Sequence, residues 1–343
     1  MNVLVTGATG FVGSVLLPRL IERYGSAAVS AFVLPGDRIP ESWADRGVRI
    51  HEGDVADSSA VRAAVEGKTH VVHLAGLISY RKGDRERLFR VNRDGARIVG
   101  EACLEAGVER LVHVSSVGAV GFHKDGRPAD EETPYNWPDS ILYMASKHEG
   151  QLAVEDLVRK GGLPAVVFNP ASIMGPGDHE PRTPHNRLYG MISKSRITGS
   201  FTGGLAVVDV RDLVDLLGEA LEGKGRNGQR YLTVGANLTY SDVIRLIGRA
   251  CGLISRPVPI PAALVAACGG LVEGVSALLK KRPLVTFAYG RLSGWRAYYD
   301  NGKSVREFEH VYRPVEQTIV DGWEYYRRMP GKDRVDNEKR IQP

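Results

Sequence analysis

Cysteine is scarce in this sequence of 343 residues, which contains only Cys103, Cys251 and Cys268. The three lie in apolar helical contexts, and no two of them form a C-x-x-C pair. Small extracellular folds held by disulfides need many cysteines, and cysteine zinc sites need clustered ones. Neither class is therefore predicted, and a reducing, cytoplasmic environment is expected.

Long uninterrupted apolar runs are also missing. The longest apolar stretch, residues 260–279, is broken by Pro261, Gly269, Gly270 and Glu273, whereas a spanning helix needs about 20 consecutive apolar residues. We predict a helix packed within the protein, lining an apolar pocket, and peripheral membrane contact is the less favoured alternative. The N-terminal residues enter a strand pattern at once, so an export signal is not expected.

No run of charge of one sign occurs. The sequence has 45 basic and 40 acidic residues, and they are scattered along the chain. Nucleic-acid binding, which needs a basic stripe, is therefore not predicted.

Two histidines, His179 and His185, flank Glu180 in a loop and raise the question of a metal site. Pro181 and Pro184 prevent the helix that would align such ligands. We predict no metal site, and we interpret both histidines as solvent-exposed or substrate-loop residues.

Short β-branched runs alternate with longer helical patterns in the first half of the chain. This alternation is typical of repeated βαβ units, and it predicts an α/β fold with a Rossmann-type, doubly wound parallel sheet. The predicted strands are 2–6, 29–34, 48–52, 70–74, 110–115 and 165–169, and the predicted helices are 13–24, 58–66, 85–106 and 141–160.

Beyond Pro170 the regular alternation ends in a loop rich in glycine and proline. We predict a nucleotide-binding domain of residues 1–173 plus about 206–230, and a smaller substrate-binding lobe of residues 174–205 and 231–329. The tail, residues 330–343, is charged and poor in apolar residues, so it is predicted to be disordered.

A glycine-rich turn joins the first strand to the first helix. Gly7 permits the tight turn, Gly10 lets the backbone approach a pyrophosphate, and Gly13 lets the helix pack on the strand. The helix N-terminus adds free N–H groups and a positive potential. The turn thus predicts nucleotide binding by Gly7, Thr9, Gly10, Phe11, Val12 and Gly13.

The G-x-x-G-x-x-G spacing of this turn resembles that of the extended short-chain dehydrogenase/reductase superfamily. The similar group contains dihydroflavonol reductases, 3β-hydroxysteroid dehydrogenases and NAD-dependent epimerases and dehydratases. The resemblance covers about residues 1–328 and includes, in order, Gly53-Asp54-Val55, His73-Leu74-Ala75-Gly76, Asn92 and Asn169-Pro170-Ala171-Ser172-Ile173.

The resemblance implies further cofactor-binding residues. Asp54 would bind the adenine amino group, with assistance from the backbone of Val55. The backbone of Leu74, Ala75 and Gly76 would run alongside the ribose and phosphates of the cofactor. Asn92 would be the family's structural asparagine. Pro170 and Ile173 would lie beside the nicotinamide.

Tyr143 and Lys147 are four residues apart on a predicted helix, so they share one face. Ser116 lies at the end of the fifth strand, and ligands of open α/β sheets bind at the carboxyl ends of strands. We predict a catalytic triad in which Tyr143 is the general acid or base, Lys147 also holds the nicotinamide ribose, and Ser116 polarises the substrate oxygen. An ammonium some 4 Å away is expected to lower the pKa of Tyr143 by about three units.

Ser116 is chosen over Ser115 through the resemblance. Aligning Gly121 with the family's glycine after this turn puts the catalytic hydroxyl five residues earlier, at Ser116.

The residue at the end of the second strand does not decide between NAD and NADP. Relatives that use NADP carry arginine there and those that use NAD carry an acid, but this chain has Leu34. Asp37 and Arg38, just beyond it, suit NAD and NADP respectively. NADP is favoured because the reductases of the family use it.

Taken together, these features predict an NAD(P)-dependent oxidoreductase that interconverts a secondary alcohol and a ketone on a small, hydrophobic substrate. A sugar epimerase or dehydratase is the alternative enzyme, since it uses the same triad. A non-catalytic NAD(P)-binding sensor or structural subunit is the alternative of another class. The resemblance also implies a homodimer formed through the helices near 85–106 and 141–160.

Overall fold

The computed structural model describes residues 1–179, 185–194, 197–278 and 287–329. Its strands, in chain order, are β1 (Val3–Thr6), β2 (Val29–Val33), β3 (Arg49–Glu52), β4 (His70–His73), β5 (Arg110–Val114), β6 (Ala165–Pro170), β7 (Ser172–Met174), β8 (Ile197–Phe201), β9 (Gly204–Asp209), β10 (Arg230–Thr233), β11 (Ala236–Thr239), β12 (Arg256–Ile260) and β13 (Arg296–Ala297). The predicted tail, residues 330–343, lies outside the described residues.

The α-helices are α1 (Phe11–Tyr24), α2 (Glu41–Asp45), α3 (Ser58–Val65), α4 (Arg85–Phe89), α5 (Gly95–Glu105), α6 (Leu142–Gly161), α7 (Arg187–Ile192), α8 (Val210–Leu221), α9 (Tyr240–Ala250), α10 (Ala262–Leu278), α11 (Phe287–Leu292), α12 (Gly302–Phe308) and α13 (Val315–Arg327). Short 3₁₀ turns occupy Ser26–Ala28, Lys82–Asp84 and Val117–Ala119, and a π-helical turn, Arg90–Asp94, joins α4 to α5.

Seven strands form one parallel sheet in the order β10-β6-β5-β4-β1-β2-β3. All residues of β1, β2, β4 and β5 are buried, as expected when helices cover both faces of a sheet. One face packs on α1 and α8, and the other packs on α3, α5 and α6. The predicted doubly wound, Rossmann-type sheet is thereby confirmed.

The change of strand order falls between β1 and β4, which pair with each other in the middle of the sheet. In open α/β sheets this is the point where the carboxyl ends of the strands leave a crevice for a ligand. The glycine turn after β1 and the segment after β4 therefore face each other across the crevice.

The remaining strands form a smaller four-stranded sheet and a separate two-stranded sheet. Strand β9 pairs with β7, β11 and β13, and β8 pairs separately with β12. Apolar side chains of α7, α9 and α13 form the core of this lobe.

The two sheets meet at two short connections. Ala171 alone separates β6 from β7, and residues 234 and 235 separate β10 from β11. The Ala171 N–H donates to the Thr233 carbonyl at 3.0 Å, and the Gly235 N–H donates to the Val207 carbonyl at 2.8 Å.

The structure distributes residues 206–233 differently from the predicted domain limits. Strand β9 lies in the small sheet, although α8, which follows it directly, packs on the large one. Strand β10 completes the large sheet and crosses the expected limit at residue 230. Periodicity identifies a strand but not its partner, and long-range pairing decides which sheet a short strand joins.

Residues 262–278 form a helix, as predicted for the longest apolar stretch. The helix is not packed within the protein on all sides, however, because Leu271 and Leu278 are 72% and 85% exposed. Within the described part of the chain, no helix has the length and apolar character needed to cross a membrane.

Candidate active site

The glycine turn after β1 is shaped by close backbone contacts. Gly7 has a φ of 66°, and a Cβ there would lie 2.8 Å from the Ala75 backbone nitrogen. A Cβ at Gly13 would lie 2.6 Å from the Ala8 Cα. Side chains at either position would therefore push apart the turn and the segments packed on it.

Helix α1 begins directly after this turn, at Phe11. Its N-cap, Gly10, provides no side-chain hydrogen bond, and the first helical turn has no acidic residue. The N–H groups of this helix end thus carry the positive potential that binds phosphate. The turn fits the pyrophosphate of a dinucleotide, because the close backbone packing at Gly7 and Gly13 sets the N-terminus of α1 directly against the turn.

The end of β2 places Asp37 beside the glycine turn. The Thr9 hydroxyl donates a hydrogen bond to the Asp37 carboxylate, which is half-buried. Arg38 and Leu34 are exposed. Of the two candidates for reading the ribose, Asp37 is thus the one whose side chain is fixed against the predicted phosphate site.

The end of β3 places Asp54 near the π-helical turn. The Asp54 carboxylate accepts the Ala56 N–H at 3.0 Å and forms an ion pair with Arg90. Val55 is buried, and Gly95 leaves the space that it fills, because a Cβ on Gly95 would lie 2.9 Å from the Val55 side chain.

Asn92 lies in the π-helical turn and fixes the segment after β4. Its side-chain amide donates to the Leu77 carbonyl and to the Ser146 hydroxyl, both at 2.9 Å, while its carbonyl oxygen accepts the Leu77 N–H at 2.8 Å. Such π turns often occur at functional sites, where they turn a side chain into a position that an α-helix cannot supply. Asn92 thereby joins the segment after β4 to α6.

Tyr143 and Lys147 are both buried on α6, one helical turn apart. Gly76, after β4, lies close to the lysine, since a Cβ on it would be 3.0 Å from the Lys147 Nζ. Burial lowers the pKa of Lys147 from 10.5 to about 8, and its ammonium donates to the Val114 carbonyl at 3.3 Å.

Ser116 lies beside Tyr143, and the interaction with its hydroxyl lowers the pKa of the tyrosine. The Ser116 Oγ also accepts the Gly118 N–H at 3.0 Å. Because that bond occupies an acceptor site, the Ser116 proton is available for the Tyr143 oxygen. The structure brings the three predicted catalytic side chains to the carboxyl end of β5.

The pKa of Tyr143 differs from the expectation of a value lowered by Lys147. Burial raises it above its ordinary value of 10, and Ser116 is the neighbour that lowers it. The expectation treated the lysine charge as the main influence, whereas desolvation is the larger one and the ammonium is bonded to the Val114 carbonyl.

Asn169 and Gln151 support the triad and were not among the predicted site residues. The Asn169 side chain, at the end of β6, donates to the Ser116 carbonyl and to the Gln151 Oε1, both at 2.7 Å. Both side chains are fully buried. Gln151 lies four residues after Lys147, so a polar residue on the buried face of α6 was the available signal.

His73 and His113 lie next to each other at the ends of β4 and β5. Their rings stack at 5.2 Å, and the His73 Nδ1 is 2.7 Å from the Thr6 Oγ1. Burial and the charge of Lys147 lower the pKa of His73 to about 3 and also lower that of His113. Both rings are therefore neutral beside the lysine.

The remaining predicted cofactor residues follow β6. Pro170 ends that strand, and Ile173 lies in β7, half-buried where the core of the large sheet meets an aromatic cluster. This cluster includes Phe122 and Trp295, whose rings stack at 5.2 Å. They line a cavity of about 420 Å³ together with Lys124, Asp125, Gly126, Gly294 and Arg296.

The predicted loop histidines follow β7. Among the described residues, no group of three or more histidine, cysteine, aspartate or glutamate side chains is arranged to hold a metal ion. The His179 Nδ1 is 2.6 Å from the Tyr325 hydroxyl, and burial lowers the pKa of His185 to about 4. Glu180 and the two prolines of that loop lie outside the described residues.

Comparison with known proteins gives a family for this arrangement. The model of the NAD dependent epimerase/dehydratase family matches residues 3–233. A sterol demethylase protein B of Methylococcus capsulatus is 30% identical over 337 residues, which cover 95% of this chain and 98% of that protein.

A ceramide reductase of Caulobacter vibrioides is 28% identical over 288 residues, covering 80% of this chain and 78% of that protein. Among solved structures, that of gox2253 has a TM-score of 0.80 and 28% identity, and it covers 95% of this chain and 98% of that one. Both similarities extend beyond the large sheet into the lobe.

Proposed function

The chain belongs to the NAD dependent epimerase/dehydratase family, as an NAD(P)-dependent oxidoreductase of the extended short-chain dehydrogenase/reductase type, and we propose that it interconverts a secondary alcohol and a ketone on a hydrophobic substrate. The observation that carries this proposal is the burial of Tyr143 beside Ser116, one helical turn from the equally buried Lys147.

The proposed mechanism centres on a proton at the Tyr143 oxygen. When bound, the nicotinamide cofactor supplies or accepts the hydride. In reduction, Tyr143 donates its proton to the substrate oxygen, and Ser116 donates a second hydrogen bond that stabilises the developing negative charge. Lys147, the nearest buried cation, stabilises the tyrosinate that remains. Because His73 and His113 are neutral, they add no second positive charge beside the Lys147 ammonium.

For the cofactor, we propose NAD, in contrast to the sequence-based preference for NADP. The Asp37 carboxylate is held beside the glycine turn by Thr9. A carboxylate at this place accepts hydrogen bonds from ribose hydroxyls and repels a 2′-phosphate. Arg38 is exposed and has no such fixed position.

Hydrophobic substrates are supported by two observations. The cavity of about 420 Å³ has the stacked rings of Phe122 and Trp295 in its wall, beside the charged Lys124, Asp125 and Arg296. The relatives named above include a sterol demethylase protein and a ceramide reductase, and both names refer to lipids.

The test is cofactor-linked turnover with purified protein, followed at 340 nm. Sterol and long-chain ketones should be reduced with NADH, and a nucleotide sugar should not be converted. Turnover of the nucleotide sugar with cofactor that stays bound through purification would instead show an epimerase or dehydratase. Bound cofactor without turnover on either panel would indicate the non-catalytic alternative.

We also propose a cytoplasmic homodimer. The free cysteines, of which Cys103 and Cys251 are buried, suit a reducing compartment. Leu152 is 44% exposed on α6, one of the helices expected at the dimer interface. Light scattering should therefore give a dimer that Leu152→Arg converts to a monomer, and a native monomer would exclude it.

A further inference from the structure

One side of α10 exposes apolar side chains to solvent. Leu264, Leu271, Val275 and Leu278 are 55%, 72%, 55% and 85% exposed. Their spacing of seven, four and three residues places them on one side of the helix. Over 17 residues the helix is about 25 Å long, so this apolar stripe extends along its whole length.

The opposite side of α10 packs on the protein. Val265 and Ala266 are buried, and a Cβ on Gly290 of α11 would lie 2.6 Å from the Ala266 nitrogen. Glu273, the only acidic residue of α10, accepts the Phe287 N–H at 3.0 Å, so its carboxylate is turned to α11. The exposed stripe is therefore uncharged, and α10 is anchored to the lobe by its other side.

The sequence around the stripe is cationic. Residues 251–299 contain a single acidic residue, Glu273, and the basic residues Arg256, Lys280, Lys281, Arg282, Arg291 and Arg296. The whole chain has a formal net charge of only +5, so the stretch of sequence that contains α10 is more cationic than the chain as a whole. An apolar helix face within a cationic stretch of sequence is complementary to acyl chains beneath anionic headgroups.

We propose that the apolar stripe of α10 attaches the protein to the surface of an anionic phospholipid bilayer. The helix would lie in the plane of the interface, with its apolar side chains among the upper acyl groups and the basic residues near the phosphates. Contiguous exposed apolar surface of this kind marks an interaction site on a folded protein. None of the four side chains of the stripe is a catalytic residue, so the function of the stripe is testable whether or not the proposed reaction is correct.

The experiment is flotation of the full-length protein with large unilamellar vesicles. Vesicles of phosphatidylcholine with phosphatidylglycerol should carry the protein upward, and those of phosphatidylcholine alone should carry at least about tenfold less. The double variant Leu271→Glu with Leu278→Glu should lose at least about tenfold in binding to the anionic vesicles. Because both side chains are mostly exposed, its circular dichroism and thermal midpoint should stay near those of the native protein.

A control variant adds one glutamate at an exposed apolar position elsewhere. Val311 is 88% exposed and lies outside α10, so Val311→Glu should bind vesicles as the native protein does. Equal flotation of the native protein and the double variant, or no flotation with either vesicle, would overturn the proposal. So would a native dimer, measured by light scattering without lipid, that the double variant dissociates, because a second copy of the chain would then be the partner of the stripe.

Discussion

The side-chain amide of Asn92 donates a hydrogen bond to the hydroxyl of Ser146 at 2.9 Å, and this bond joins the π-helical turn to the helix of Tyr143 and Lys147. The Ser146 hydroxyl in turn donates a hydrogen bond to the Tyr143 carbonyl at 2.8 Å. The segment after β4 and the catalytic helix are therefore held in one register by buried polar groups.

Replacing Asn92 by leucine should destabilise the protein and misplace the catalytic helix. The change removes three hydrogen bonds and leaves the Leu77 backbone groups without that partner, which costs about 2–3 kcal/mol of unfolding free energy. Urea unfolding measures the loss. Arg87→Leu, at an exposed position five residues earlier, should change the unfolding free energy by less than about 0.5 kcal/mol.

Tyr143→Phe should keep the fold and cofactor affinity but lower kcat by about 10²–10⁴-fold, because the proton donor to the substrate oxygen is lost. Steady-state kinetics with the best substrate of the panel, together with cofactor titration, measure the two effects. The control is Tyr24→Phe. Tyr24 is the last residue of α1, and the change removes only a hydroxyl that is hydrogen-bonded to Glu222. Near-native kcat in the Tyr143 variant would exclude the proposed acid or base.

Lys147→Met should make the cofactor-free protein more stable at pH 7. Because burial lowers the pKa of Lys147 from 10.5 to about 8, the unfolded chain binds more protons than the folded chain between these values. The lysine therefore lowers stability fully below pH 8, and the penalty disappears as the pH rises towards 10.5. The penalty is about 3 kcal/mol, and loss of the bond to Val114 offsets about 1 kcal/mol of the gain.

Urea unfolding at pH 7 and pH 9.5 tests this sign. The stability advantage of Lys147→Met over the native protein should be about 2 kcal/mol at pH 7 and should shrink at pH 9.5. Lys160→Met, which removes an exposed lysine paired with Asp156, should show no such pH dependence. A Lys147 variant that is less stable at both pH values by the same amount would contradict the prediction.

Asp37→Ser should shift cofactor preference from NAD towards NADP by at least about tenfold in kcat/KM, because a charge that repels the 2′-phosphate is removed. Arg38→Ala is the paired variant and should change the ratio of NAD to NADP efficiency little. If Arg38→Ala instead abolishes activity with NADP while Asp37→Ser has no effect, the enzyme uses NADP, as the sequence analysis favours.

The large sheet was predictable because its strands are short apolar runs buried on both faces, which few other structures produce. The helix expected over residues 85–106 is interrupted, however, by the π-helical turn at Asn92. That turn depends on hydrogen bonds to Leu77 and Ser146 from distant parts of the chain. Local periodicity carries no information about such partners.

The candidate site likewise has residues that the sequence could identify and contacts that only the folded chain forms. Tyr143 and Lys147 were recognisable because their helical spacing puts them on one face and because they follow the fifth strand, which ends near Ser116. The stacking of His73 on His113 arises from the register of two neighbouring strands, in which these residues are opposite each other. The contact of Asn169 with Gln151 likewise joins β6 to α6, and only the folded chain brings the two together.

The two strand-to-strand connections between the sheets, at Ala171 and at residues 234 and 235, lie side by side, because β6 pairs with β10 and the Ala171 N–H donates to the Thr233 carbonyl. Strand β9 leads directly into α8, so the lobe is joined to the large sheet there as well. Asn169, which donates to the Ser116 carbonyl, lies two residues before Ala171. A shift of the lobe at this connection would therefore act first on the backbone that holds the catalytic serine.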